Sequence, residues 1–123
     1  MLELVSSKDK AAYKAFDSAR SGTPFMLDLR LSDDLGWAIT YAHMRVTRSS
    51  LPTEGPHTLT LFHAVGTATI TGRNLHELKD KLAAYAVSWI QVFDPISHAA
   101  PDDAAPVITA IDFQQLATPY GDE

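Results

Sequence analysis

Residues 66–93, Gly66-Thr-Ala-Thr-Ile-Thr-Gly-Arg-Asn-Leu-His-Glu-Leu-Lys-Asp-Lys-Leu-Ala-Ala-Tyr-Ala-Val-Ser-Trp-Ile-Gln-Val-Phe93, contain the changes of period on which the fold turns. Threonine alternates with apolar residues over 67–71, the pattern of a half-buried strand. Gly72-Arg73 leaves that strand, Asn74 stands where an N-cap is wanted, and Glu77 follows at capping-box spacing. Leu75, Leu78, Leu82 and Tyr85 then recur at helical spacing, with Glu77 and Lys81 as an i,i+4 pair. From Val87 to Phe93 β-branched and aromatic residues return, and Asp94-Pro95 ends the run. Trp89 and Phe93 point one way, Ile90 and Val92 the other, so both faces read as buried. If strands 67–71 and 87–93 are parallel in one sheet, the crossover is right-handed. An antiparallel arrangement with the helix folded across the sheet is the alternative.

Upstream, residues 7–20 read as a first helix. Ser6 or Ser7 can cap it, Gly22 can stop it, and Ala12, Ala15, Phe16 and Ala19 form a narrow apolar stripe. Two strands follow at 25–31 and 37–47, joined by residues 32–36. Pairing Leu31 with Trp37, Leu29 with Ile39, Leu27 with Tyr41 and Phe25 with His43 gathers Phe25, Leu27, Leu29, Leu31, Trp37, Ile39 and Tyr41 on one face. An odd slip would mix the two faces. The second strand outruns its partner, so it bends or reaches another neighbour.

Residues 48–57, with two prolines and a glycine, read as a loop. A second hairpin spans 58–63 and 67–71, with Gly66 as a left-handed turn residue beside a bulge. Leu61 opposite Ile70 and His63 opposite Ala68 put Leu59, Leu61, Ala68 and Ile70 on one face. Five threonines and Phe62 occupy the other, where an exposed Phe62 would suit a subunit contact. Residues 94–106 read as a loop, Val107–Phe113 as a candidate sixth strand, and the chain from about 117 as a polar tail. The expectation is one α+β domain over residues 1–123. Its curved, mainly antiparallel sheet has about five to six strands, with partial barrel closure as an elaboration, and is packed by two helices.

Composition narrows function chiefly by exclusion. With 46% hydrophobic and 20% charged residues the chain can build a core and is not disordered by composition. It has no cysteine, which removes thiolate metal sites and cysteine nucleophiles. The N-terminal residues lack the form of a signal peptide. The nearly apolar run from Leu82 to Phe93 falls short of the roughly 20 residues of a membrane span. A cytoplasmic, soluble chain with no membrane contact is the expectation. A net charge of −5 disfavours nucleic-acid binding, for which Arg45, Arg48 and Arg73 would be the available cations.

The candidate ligand residues are His43, His63, Arg73 and Asn74. His43 and His63 fall on the apolar faces near their strand ends, where two imidazoles and a carboxylate could hold a metal or act as a base. Their plainer role is at the core rim, with one nitrogen bonded to backbone. Gly72-Arg73-Asn74-Leu75 combines a helix N-terminus with a guanidinium, which is anion-binding physics, although Asn74 and Glu77 would satisfy those amides themselves. His57, His76 and His98 read as surface residues, and Asp33-Asp34 and Asp102-Asp103 as turn formers. No catalytic motif, metal set or cofactor signature is present. The leading expectation is a non-catalytic binding or protein-interaction module, paired with itself as a homodimer or with another protein, its small-molecule ligand unspecified. The alternative is a small enzyme or ligand/metal-binding protein using His43 and His63.

Overall fold

The computed structural model describes residues 10–19, 22–32 and 34–116, and of Arg45 and Val46 only the backbone. Its elements are β1 (Phe16–Ser18), β2 (Met26–Ser32), β3 (Leu35–Thr40), a 3₁₀ turn (Tyr41–His43), β4 (Met44–Ser50), β5 (His57–His63), β6 (Gly66–Arg73), α1 (His76–Ala83), β7 (Val87–Gln91) and β8 (Val107–Gln115). They form two four-stranded sheets, ordered β1-β7-β2-β3 and β4-β5-β6-β8, and neither closes into a barrel. This overturns the expected α+β arrangement of one curved sheet and two helices: among the described residues there is one α-helix. Both sheets and α1 contribute to one apolar cluster, including Leu27, Leu29 and Ile90 from the first sheet, Leu61, Ile70 and Ile108 from the second, and Leu75, Leu78 and Leu82 around α1.

The first helix is where expectation and structure part most. Residues 10–15 are not helical and Phe16–Ser18 form β1, antiparallel to β7 with Phe16 opposite Ile90. Residues 7–9 and 20 lie outside the described residues. Several long-range bonds hold the segment. The Tyr13 hydroxyl donates to Gln91 O at 2.7 Å and accepts Ile108 N–H at 3.0 Å. The Gln91 amide donates to Lys14 O at 2.8 Å. Helix propensity is a few tenths of a kcal/mol per residue, so the edge of β7 overrides it.

Both hairpins keep their faces but shift by two residues. In the first, Leu29 opposes Trp37 and Leu27 opposes Ile39, with a bulge between Arg30 and Ser32. An even shift preserves parity, so Leu27, Leu29, Ile39 and Tyr41 are buried as the pattern requires. Phe25, by contrast, is 76% exposed. The long strand 37–47 breaks at the 3₁₀ turn, and β4 then pairs with β5 in the other sheet. Residues 48–50 are therefore strand, not loop.

In the second hairpin Leu61 opposes Ala68 and His63 opposes Gly66 across a two-residue turn, without a bulge. Gly66 is not left-handed. A Cβ there would sit 2.6 Å from both Gln114 O and the Phe113 ring, so glycine serves the close approach of β8. Phe62 is half-buried rather than exposed. The sixth-strand candidate is present as β8, which pairs along the length of β6.

The unit 66–93 is real in its elements and different in its assembly. Strands β6 and β7 belong to different sheets, and β7 runs parallel to β2, with Leu29 opposite Ile90. Helix α1 thus carries the chain from the second sheet to the first. It starts at His76 without a side-chain cap. Asn74 takes a φ of 57°, and its amide donates to Asp103 O and Ala105 O at 2.9 and 3.0 Å. The long-range carbonyls of the 102–105 turn outcompete the local capping box.

Tyr41 ties the corner to the first sheet, its buried hydroxyl donating to Val87 O at 2.7 Å. Burial pushes its phenol, like that of Tyr13, up to about 12. A raised folded value means that this contribution is complete below the ordinary tyrosine value of about 10 and is lost as pH rises through the folded value. Urea unfolding should therefore show stability falling as pH rises from about 10 towards 12. Tyr41→Phe should lower neutral-pH stability by about 1 kcal/mol and flatten part of the alkaline fall.

Candidate functional site

The structure brings His43 and His63 together, with ring centroids 6.0 Å apart and planes at 80°. Thr40 lies between them, its Oγ1 2.9 Å from His43 Nδ1 and 3.3 Å from His63 Nε2. His63 has both ring nitrogens committed to backbone. Its Nδ1 accepts Val65 N–H at 3.1 Å, so the ring proton is on Nε2, which donates to Thr40 O at 2.8 Å. A metal or a substrate proton would have to displace one of these bonds. His63 is buried and His43 exposed. Among the described residues no group of three or more His, Cys, Asp or Glu is placed to hold a metal.

Two further histidines repeat the arrangement. His57, expected at the surface, is 7% exposed. Its Nδ1 accepts the N–H of Leu75 at the start of α1 at 3.2 Å, and Nε2 donates to Pro52 O at 3.1 Å. His98, also expected at the surface, is half-buried between Tyr13 and Phe93. Its Nδ1 accepts Asp94 N–H at 3.0 Å. His76 keeps its place on the first turn of α1, exposed, with its ring 5.1 Å from that of His57.

Arg73 and Asn74 clasp a turn. The Arg73 guanidinium donates to Asp102 O at 3.1 Å beside the two Asn74 bonds already described. The amide of Leu75 at the helix start is occupied by His57 rather than by Asn74 or Glu77.

A cleft of about 690 Å³ lies at the carboxyl ends of β2 and β7. Its lining includes the polar residues Arg30, Ser32, Asp34, Gln91, Asp94 and His98 and the apolar Leu31, Val92 and Phe93. Asp33 lies outside the described residues. The Arg30 guanidinium sits 4.3 Å from the centre of the Trp89 ring and 3.6 Å from the Asp28 carboxylate. Asp94 is already engaged: its carboxylate accepts Ile96 N–H at 2.9 Å and the Ser97 hydroxyl at 3.1 Å. These bonds, Ile96 N–H first, and the neighbouring His98 hold its carboxyl below the ordinary carboxylate value. Because His98 Nδ1 is an acceptor, its Nε2 is the N–H end of the ring. The cleft thus offers one cation braced on an aromatic face, the His98 imidazole and one further carboxylate, Asp34.

Sequence reading missed this cleft because its lining comes from three separate segments with no motif spacing in any of them. Asp34, which lines it, reads in the sequence only as a turn former. No family model, curated protein or solved structure matches this chain.

The imidazole acceptors have a testable consequence. Replacing His57 with Leu leaves the Leu75 amide buried without its partner, which should lower stability by about 1–3 kcal/mol in urea unfolding. His43→Leu, which removes an exposed ring, should change stability by less than about 0.5 kcal/mol.

Proposed function

We propose that this chain is a non-catalytic binding module that takes a small polar carboxylate in the cleft between the ends of β2 and β7. The observation that carries this reading is Arg30, a guanidinium stacked on Trp89 at the mouth of a cleft of about 690 Å³, with only a long contact to Asp28. A guanidinium is suited to a ligand carboxylate, and the His98 imidazole adds a second donor. Asp34 favours a ligand that also carries a hydroxyl or ammonium group. Leu31, Val92 and Phe93 supply apolar walls, in keeping with pockets that fix a ligand by few polar groups.

The rival enzyme reading through His43 and His63 has less support, because His63 spends both nitrogens on backbone. Nucleic-acid binding has less still: Arg73 is held on the Asp102 carbonyl, and the net charge is −5.

A thermal-shift screen of small hydroxy- and amino-carboxylic acids tests the proposal, with Arg30→Ala run alongside. A ligand at 100 times its Kd adds about 2.7 kcal/mol, a rise of several degrees in Tm that Arg30→Ala should abolish. A flat screen, or a shift that survives Arg30→Ala, would remove the proposal.

A further inference from the structure

The two sheets have four outer strands: β1 and β3 in one, β4 and β8 in the other. A strand edge presents unpaired amides and carbonyls that another strand can take up, and proteins usually guard it with charge, proline or shortness. Strand β1 is three residues long and contains Asp17; β4 contains Arg45 and Arg48; β8 contains Asp112. Strand β3, Leu35-Gly-Trp-Ala-Ile-Thr40, has no charge and no proline. Among the described residues no strand, charge or proline guards its outer edge.

Which backbone groups face outward follows from the ladder. Tyr41 N–H donates to Phe25 O at 3.3 Å, one step beyond the Met26–Thr40 pair. Antiparallel pairs alternate between bonded and non-bonded, so Trp37 and Ile39 bond towards β2, while Gly36, Ala38 and Thr40 turn their amides and carbonyls to the free side. The histidine geometry provides an independent check, since the Thr40 carbonyl is the one that receives His63 Nε2–H. That end of the edge is closed. Gly36 and Ala38 are exposed, and Leu35 and Trp37 beside them are 57% and 37% exposed.

We infer that two copies of this chain join through the β3 edge as an antiparallel twofold dimer centred on Trp37. Twofold pairing sets equivalent residues against each other, so a charged edge would oppose its own like charges. Neutrality makes β3 suited to a second copy, whereas β4 would set arginines against arginines. The centre follows from the closed carbonyl. A twofold axis at Ala38 would need the Thr40 carbonyl that His63 occupies, and one at Gly36 would run into the turn at Asp34. With the axis at Trp37, Gly36 bonds the partner's Ala38 in both directions, and symmetry repeats the pair. The two Trp37 residues then face each other in a non-bonded position, Cα atoms about 4.5 Å apart. The result is one continuous sheet, β1-β7-β2-β3 followed by the same strands in reverse.

Sedimentation velocity over a micromolar concentration series tests this, with Ala38→Pro as the discriminating variant. Proline removes an amide that faces outward in the isolated chain and is tolerated on such edges. The expected result is a wild-type dimer and an Ala38→Pro monomer with an unchanged circular-dichroism spectrum. A monomeric wild type overturns the inference, as does a dimer that persists in folded Ala38→Pro. If Ala38→Pro does not fold, Trp37→Cys decides. The chain has no other cysteine, so mild oxidation should link Trp37→Cys into a covalent dimer, directly opposed residues being within disulfide reach. No cross-link, or one equally fast in Ala38→Cys, overturns it. Arg30→Ala should leave the dimer intact, which separates this test from that of the cleft.

Discussion

The parallel pairing of β2 with β7 is the constraint on which the first sheet depends. Strand β7 lies between β2 and β1, so without it β1 has no partner and the β2–β3 hairpin stands alone. Parallel neighbours cannot be joined by a tight turn. Here the connection runs through the second sheet and α1, and it ties both sheets to one core. The cleft at the carboxyl ends of β2 and β7 is a consequence of the same pairing, since the chain must leave both strands there and diverges as it does.

Histidine takes up a second constraint, the satisfaction of backbone amides where the chain turns. His57 receives the amide that opens α1, His63 the amide of the β5–β6 turn, and His98 that of Asp94. In each case an imidazole Nδ1 serves as acceptor on one side, and in His57 and His63 the Nε2 is a donor to a carbonyl on the other. Unpaired buried backbone groups are expensive, and among the described residues no buried side-chain nitrogen or oxygen lacks a partner. The same bonds commit both nitrogens of His57 and His63 to backbone and leave His43 as the exposed member of the central pair, its Nδ1 2.9 Å from Thr40 Oγ1.

Much of the local structure was legible in residue order. The parity of Leu27, Leu29 and Ile39 and of Leu59, Leu61, Ala68 and Ile70 identified their buried faces, because period-two alternation survives a shift of two residues. The exact partners did not, because bulge and turn length set the register and both depend on how the strand ends are held. Residues 10–19 failed for a related reason. Their alanines and lysines carry a weak helical preference, and the bonds from Tyr13 and Gln91 that replace it join positions 78 and 77 residues apart. Asn74 and Glu77 matched a capping box, yet the Asp103 and Ala105 carbonyls took the asparagine. Of the candidate site, the proximity of His43 and His63 was legible from their places at strand ends, whereas the cleft was not, its lining being brought together by β7.

By itself the sequence determined periods and faces: the alternation around Leu27, Leu29, Ile39, Leu59, Leu61, Ala68 and Ile70, the helical spacing of Leu75, Leu78 and Leu82, and the burial of those residues. Those properties arise from neighbours one to four residues apart. Only the tertiary structure decided that the described strands divide into two sheets, that β6 and β7 part company, and that β3 is an outer strand among the described residues. Sheet membership is set by hydrogen bonds between distant segments competing for the same edge, and that competition is resolved in space rather than along the chain.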